Sequence, residues 1–177
     1  GNEEEFDYYH EGMTESVVRV LERLDHERVQ IARALGVRSE TAAEWLARSY
    51  GVRGRNLRES ILNNRGYAGI KAPTTIRHRY ISEDVPASLV PIASLGDIAG
   101  TPVPTLRSVI HLASLVHGVD YWACGRRMER LGLAGMCREE MLDYVGARRT
   151  TTMEELTLDD TAGWPLAATE GEMLGWA

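Results

Sequence analysis

Asn64 to Pro91 reads NRGYAGIKAPTTIRHRYISEDVPASLVP, and the rest of the chain is legible by contrast with it. The stretch carries two glycines, three prolines, the chain's single lysine, an Arg-His-Arg triplet and an acidic pair, with no helical spacing of its apolar residues. Long connections inside a domain are uncommon and are usually functional or disordered. Tyr67, Ile70, Ile76, Tyr80 and Ile81 make this one too apolar for disorder. A structured loop presenting Arg77, His78, Arg79, Glu83 and Asp84 is the expectation, and chemistry is expected on it.

Outward from the loop, both flanks have helical period. Thr14 to Leu35 places Val17, Val20, Leu21, Leu24, Ile31 and Leu35 three and four residues apart and ends at Gly36. Ser39 is placed to cap a second helix bearing Ala43, Trp45, Leu46 and Tyr50, and Asn56 with Glu59 forms a capping box for a short third one to about Leu62. Beyond the loop, Val85 to Ala99 reads as helix, with Pro86 in its first turn and Pro91 bending it. Thr105 to Val116 follows with Leu106, Val109, Ile110, Leu112, Ala113 and Val116 as an apolar face. Asp120 caps a helix expected to reach Leu131 and stop at Gly132, and Cys137 with Glu140 opens a last one to Val145. No stretch alternates as a strand does. The fold class is all-α, six to eight helices around one long structured loop, with residues 1–13 an acidic lead-in, 14–145 the domain and 146–177 a polar tail that orders only against something else.

The net charge of −6 divides unevenly. Residues 1–15 hold six acids and no Lys or Arg, residues 150–177 again six acids and no bases, and the body carries all 20 bases against 14 acids. Acidic ends on a mildly basic body argue against membrane or general nucleic-acid binding and fit a cleft for small anions. Nineteen of the 20 bases are Arg, so no Arg is notable by type alone. Cys124 and Cys137 are too few for a disulfide framework and lack metal spacing. With no membrane span and no signal peptide, a cytoplasmic protein is expected. Gly1 before an acidic run reads as a cloning scar, with more protein expected upstream.

Two searches for chemistry give different results. No nucleotide fingerprint is present, and the nearest glycine pair, Gly51 and Gly54, has the wrong spacing and no strand before it. His10, His26, His78, His111 and His117 make no metal signature, so no metal is expected. Arg79 and Asp84 are stronger candidates. An Arg can fork two hydrogen bonds onto a carboxylate, and an Asp can orient a histidine and stabilise its cation. The simpler reading of Arg77, Arg79, Glu83 and Asp84 is a loop-to-helix ion network beside a helix dipole. Trp45, Tyr67 and Tyr80 either line a pocket or belong to core and rim, and His10 beside Tyr8 and Tyr9 reads as a packing histidine.

The strings YYHEGMTESVVRVLERLDHERVQIARALGV, AAEWLARSYG, NNRGYAGIKAPTTIRHRYISEDVPASLVPIASLGDIAG and GVDYWACGRRMERLGLAGM together resemble the C-terminal helical domain of the octopine/nopaline (opine) dehydrogenase family. The resemblance covers residues 6–145 in colinear order. It implies a helical domain of the 6-phosphogluconate dehydrogenase C-terminal type, which faces a Rossmann domain that holds NAD or NADP. It further implies reductive condensation of a 2-oxo acid with an amino acid in the cleft between them. On the family's pattern Asp84 pairs with a catalytic histidine on the Rossmann side, and Arg79 anchors a substrate carboxylate; Tyr67, Trp45, Tyr80 and His78 are the further substrate-binding candidates. Arg65 stands where the family often has proline, and Cys137 where it usually has Ser or Thr. The Rossmann partner, in the same protein or in trans, is the implied companion, and a homodimer is open. The alternative is a non-enzymatic helical module that keeps the fold for ligand binding or dimerisation.

Overall fold

Thr14 accepts a hydrogen bond from the Val17 amide at 3.3 Å and so opens the longest helix, α1 (Glu15–Ala34). The computed structural model describes residues 5–146, in two compact units that part after Gly135. In the first unit α1 is followed by α2 (Ala42–Tyr50), α3 (Leu57–Asn63), a 3₁₀ turn (Arg65–Tyr67) and the single turn α4 (Arg79–Ser82). A π turn (Val85–Leu89) then runs into α5 (Val90–Ile98), before α6 (Pro104–His117) and the short α7 (Tyr121–Cys124). The only strand-like feature among the described residues is an isolated antiparallel bridge between Asp7 and Lys71. The all-α expectation holds, with the loop largely irregular between its two short turns.

α1 serves two cores because a 20-residue helix is about 30 Å long. Its N-terminal half gives Val18 to a cluster with Met13, Leu46, Leu57 and Ile61. Its C-terminal half gives Ile31 to a second cluster with Val85, Val90, Ala93, Leu106, Ile110 and Tyr121. Of the expected inward face, Leu21, Leu24, Ile31 and Leu35 pack against the two cores, while Val17 and Val20 are exposed and Val18 and Glu27 are buried in addition. Glu27 is buried for a reason of its own. Its carboxylate, 2% exposed, accepts the amides of Thr105 and Leu106 at 3.0 Å each and so caps α6, whose own N-cap Val103 has no side chain to do it.

Other boundaries are also set by distant partners. Thr41, not Ser39, caps α2 in a full capping box with Glu44, while Ser39 accepts from Arg28 at 2.7 Å. Asn56 caps α3 as expected, but the Glu59 carboxylate bonds the Arg55 amide, one residue earlier than a capping box requires. In the π turn the Val90 amide reaches back to the Val85 carbonyl. Pro91 has no N–H to offer Ala87, so the tighter α ladder cannot continue there. α7 stops at Cys124, seven residues short of the expected Leu131. Gly125 is extended (φ −73°, ψ 172°) and pressed on the start of α5 so closely that a Cβ would sit 2.7 Å from Val90 Cγ1.

α6 buries Leu106, Ile110 and Ala113 but leaves Leu112 62% and Leu115 67% exposed. A groove of about 580 Å³ lies along it, lined by Arg107, Ile110, His111, Ser114, Leu115 and Trp122 among others. In the second unit residues 138–146 are helical, and the Cys137 amide donates to Glu140 at 2.7 Å as the box pattern requires. The polar stretch read as a tail lies, from residue 147 on, outside the described residues.

Candidate functional site

The loop is tied to the chain's first residues before it reaches its charged triplet. Tyr8 N donates to Ile70 O at 2.8 Å, Ala72 N to Phe6 O at 2.9 Å, and Lys71 Nζ meets Asp7 Oδ1 at 2.9 Å. The single lysine is thus the partner of the acidic lead-in. Asn64 accepts the Gly66 amide on its side-chain oxygen at 3.1 Å, which turns the chain so that Tyr67 stacks on Tyr9 with centroids 4.0 Å apart.

From that stack an aromatic ribbon extends both ways. Tyr67 meets Tyr50 at 5.9 Å and Tyr50 meets Trp45 at 5.5 Å. In the other direction Tyr9 meets Tyr8 at 5.0 Å, Tyr8 meets Tyr80 at 5.8 Å, and Tyr80 meets His78 at 4.4 Å. All four aromatic candidates of the sequence, Trp45, Tyr67, Tyr80 and His78, therefore sit on one continuous surface. Sequence reasoning missed the members that join them, Tyr8, Tyr9 and Tyr50. Burial raises the hydroxyl pKa of Tyr8, Tyr9 and Tyr67, and neighbouring ribbon tyrosines push in the same direction. For Tyr8 the Asp84 carboxylate also contributes, which places that charge beside the ribbon.

The charged candidates flank this surface. His78 caps α4, accepting the Tyr80 amide at 3.4 Å, and Arg79 opens the turn. Arg79 and Asp84 are both exposed. The Arg79 guanidinium bonds Glu83 at 2.9 and 3.1 Å, with side chains 51% and 56% exposed. So the ion pair weighed from the sequence is present between Arg79 and Glu83, while Asp84 has no ion pair among the described residues. An exposed i,i+4 pair is worth only about 0.3–0.5 kcal/mol, so an incoming carboxylate that takes the whole guanidinium fork can displace Glu83.

The glycine pair nearest to a nucleotide fingerprint does not fit a dinucleotide. Gly51 is the left-handed C-cap of α2, and a Cβ on Gly54 would meet Glu59 Cβ at 2.4 Å, so that turn is packed on α3. No cluster of three or more His, Cys, Asp or Glu side chains is placed to hold a metal among the described residues, and none of their helices is long and apolar enough to cross a membrane. The groove along α6 contains none of the candidates named from the sequence.

Comparison with known proteins supplies the frame for this surface. The opine dehydrogenase of Arthrobacter sp. (strain 1C) is 37% identical over 131 residues, 74% of this chain and 36% of that enzyme. Vitopine synthase of Allorhizobium ampelinum is 36% identical over 128 residues, covering 72% and 35% respectively. The chain thus spans about a third of the length of these relatives. An octopine dehydrogenase structure with NADH and L-arginine superposes with a TM-score of 0.64 over 78% of this chain and 41% of its own, at 19% identity, which shows a shared fold. The profile of the NAD/NADP octopine/nopaline dehydrogenase α-helical domain matches residues 1–117, and the chain belongs to that family.

Proposed function

We propose that this chain is the substrate-binding and catalytic helical domain of an NAD(P)-dependent opine-type dehydrogenase, which joins a 2-oxo acid to the amino group of an amino acid. The observation that carries the reading is the aromatic ribbon, which gathers Trp45, Tyr67, Tyr80 and His78 onto one surface flanked by exposed Arg79 and Asp84. Arg79 holds the carboxylate of the 2-oxo acid through its planar fork, exchanging Glu83 for substrate. The ribbon supplies apolar faces for the amino acid and shields the condensing groups from water. Asp84 keeps a charge next to the reacting carbonyl, where it orients and stabilises a histidine contributed from outside these residues.

The reduced nicotinamide is the source of hydride for such a reaction, and on this reading a Rossmann domain holds it. Exposed, unbridged Cys124 and Cys137 suit a reducing, cytoplasmic setting. The test is oxidation of NADH or NADPH by the protein joined to its cofactor domain, with pyruvate and a panel of amino acids. Pyruvate-dependent turnover that needs an amino acid is the expected result. Wild-type protein inactive with every pair would overturn the reading in favour of a non-enzymatic module.

A further inference from the structure

His117 lies outside the aromatic ribbon and outside the charged pair, yet it holds the loop that carries them. Between Ala72, which bonds Phe6, and the start of α4, the only long-range hydrogen bond among the described residues is His117 Nε2 to Ile76 O, at 3.0 Å. The Ile76 side chain is 59% exposed, so little burial fixes this part of the chain. The other ring nitrogen, Nδ1, lies 2.6 Å from the Tyr121 hydroxyl. Tyr121 is itself fixed: it is 4% exposed, belongs to the larger core, and donates its amide to Ser114 Oγ at 3.2 Å. One neutral tautomer satisfies both contacts, with Nε2–H donating to the Ile76 carbonyl and Nδ1 accepting from the tyrosine.

We infer that His117 is a positioning residue: it transmits the rigidity of the α6–α7 core to Ile76 and thereby sets the approach of His78 and Arg79 to the substrate carboxylate. The imidazole suits this because its two nitrogens are held apart by a rigid ring, one donating outward and one accepting inward. Without it, residues 73–77 keep only the local bond from the Arg77 amide to Thr75 Oγ1 at 3.2 Å, and the start of α4 gains freedom. The link to substrate rests on the dehydrogenase reading above; the clamp on the loop does not.

The test compares His117→Phe, which keeps a ring and removes both bonds, with His117→Gln, whose amide can donate and accept in the same sense. Tyr121→Phe, which removes the inner bond alone, is a second, gentler variant. Hydrogen exchange is read at the amides of Arg77, Tyr80 and Ile81 in the 177-residue chain, with α1 amides as the folding control. Exchange at those three positions is expected to quicken roughly three- to tenfold in the Phe variant, as loss of one hydrogen bond predicts, and to return toward wild type in the Gln variant. In the protein joined to its cofactor domain, KM for pyruvate should rise by a similar factor with kcat nearly unchanged. Unchanged loop exchange in both Phe variants, or a Gln variant no better than Phe, overturns the clamp. Quickened exchange with an unmoved KM supports the clamp but overturns its role in substrate approach. Absence of any turnover in the wild type is a failure of the dehydrogenase reading alone, because the exchange result still decides the clamp.

Discussion

Arg79 and Arg77 stand two residues apart on one loop, are both exposed, and differ in their surroundings. Arg79 opens the helical turn beside Tyr80 and keeps its fork oriented by Glu83. On the proposed function, in the protein joined to its cofactor domain, Arg79→Lys is therefore expected to cost about 2–4 kcal/mol, or roughly 30- to 1,000-fold in kcat/KM, mostly through KM for the 2-oxo acid, because an ammonium cannot make the planar bidentate contact. Arg77→Lys should be nearly silent, and equal responses of the two would remove the role given to Arg79. Asp84→Asn should keep the fold and lower kcat by roughly 100-fold or more, as the loss of a charge beside a general acid–base group does. The same variant offers a spectroscopic reading. Tyr8, Tyr9 and Tyr67 are held above the ordinary phenol range, first by burial and then by their neighbours, so an absorbance titration near 295 nm should show late-ionising tyrosines. A raised folded pKa means stability that is present below pH about 10 and is lost as pH climbs through the folded value, so alkaline unfolding should track the late phase. Asp84→Asn should bring one of these tyrosines, Tyr8, down.

Glu27 shows how one element depends on another. The N-terminus of α6 begins after Val103 and Pro104 with no cap of its own, and a buried carboxylate from α1 supplies it. Glu27→Ala should destabilise the chain by about 1–3 kcal/mol, measured by denaturant unfolding, because the buried Leu106 amide and the part-buried Thr105 amide lose their acceptor. Gly125→Ala should cost about 1–3 kcal/mol for a different reason: its Cβ has no room against Val90. These two residues also mark where sequence reading ends. The helices themselves were legible, since apolar spacing and caps such as Thr14, Asn56 and Asp120 are local signals. The inward face of α1 was legible through Leu21, Leu24, Ile31 and Leu35, but the burial of Glu27 on it was not, because that charged residue serves a helix that begins at residue 104. Nor was the end of α7, which is decided by packing on Val90 and not by Gly132. The loop's chemistry-bearing residues were legible from its composition. Their gathering into a ribbon was not, because Tyr8 and Tyr9 join it through backbone pairing across more than 60 residues, with only the acidic lead-in and the lone Lys71 as a signal.

At the scale of the whole molecule, the chain spans about a third of the length of the relatives it matches. Taken alone it is expected to leave NADH and NADPH unbound at micromolar concentration, since its sequence carries no glycine fingerprint for a pyrophosphate; calorimetric titration checks this, and tight stoichiometric binding would contradict the two-domain reading. The bridge between the lead-in and the loop has a mechanical meaning at this scale. Phe6 and Tyr8 grip Ala72 and Ile70, so a pull or twist applied ahead of Glu5 enters the molecule at the loop before it meets any long helix. The load path is short: its first anchor lies just upstream of His78 and Arg79, and its far anchor is the core behind Ile76. A force applied upstream would thus be felt first by residues 70–72, and its rise or fall would draw residues 73–77 taut or let them slacken.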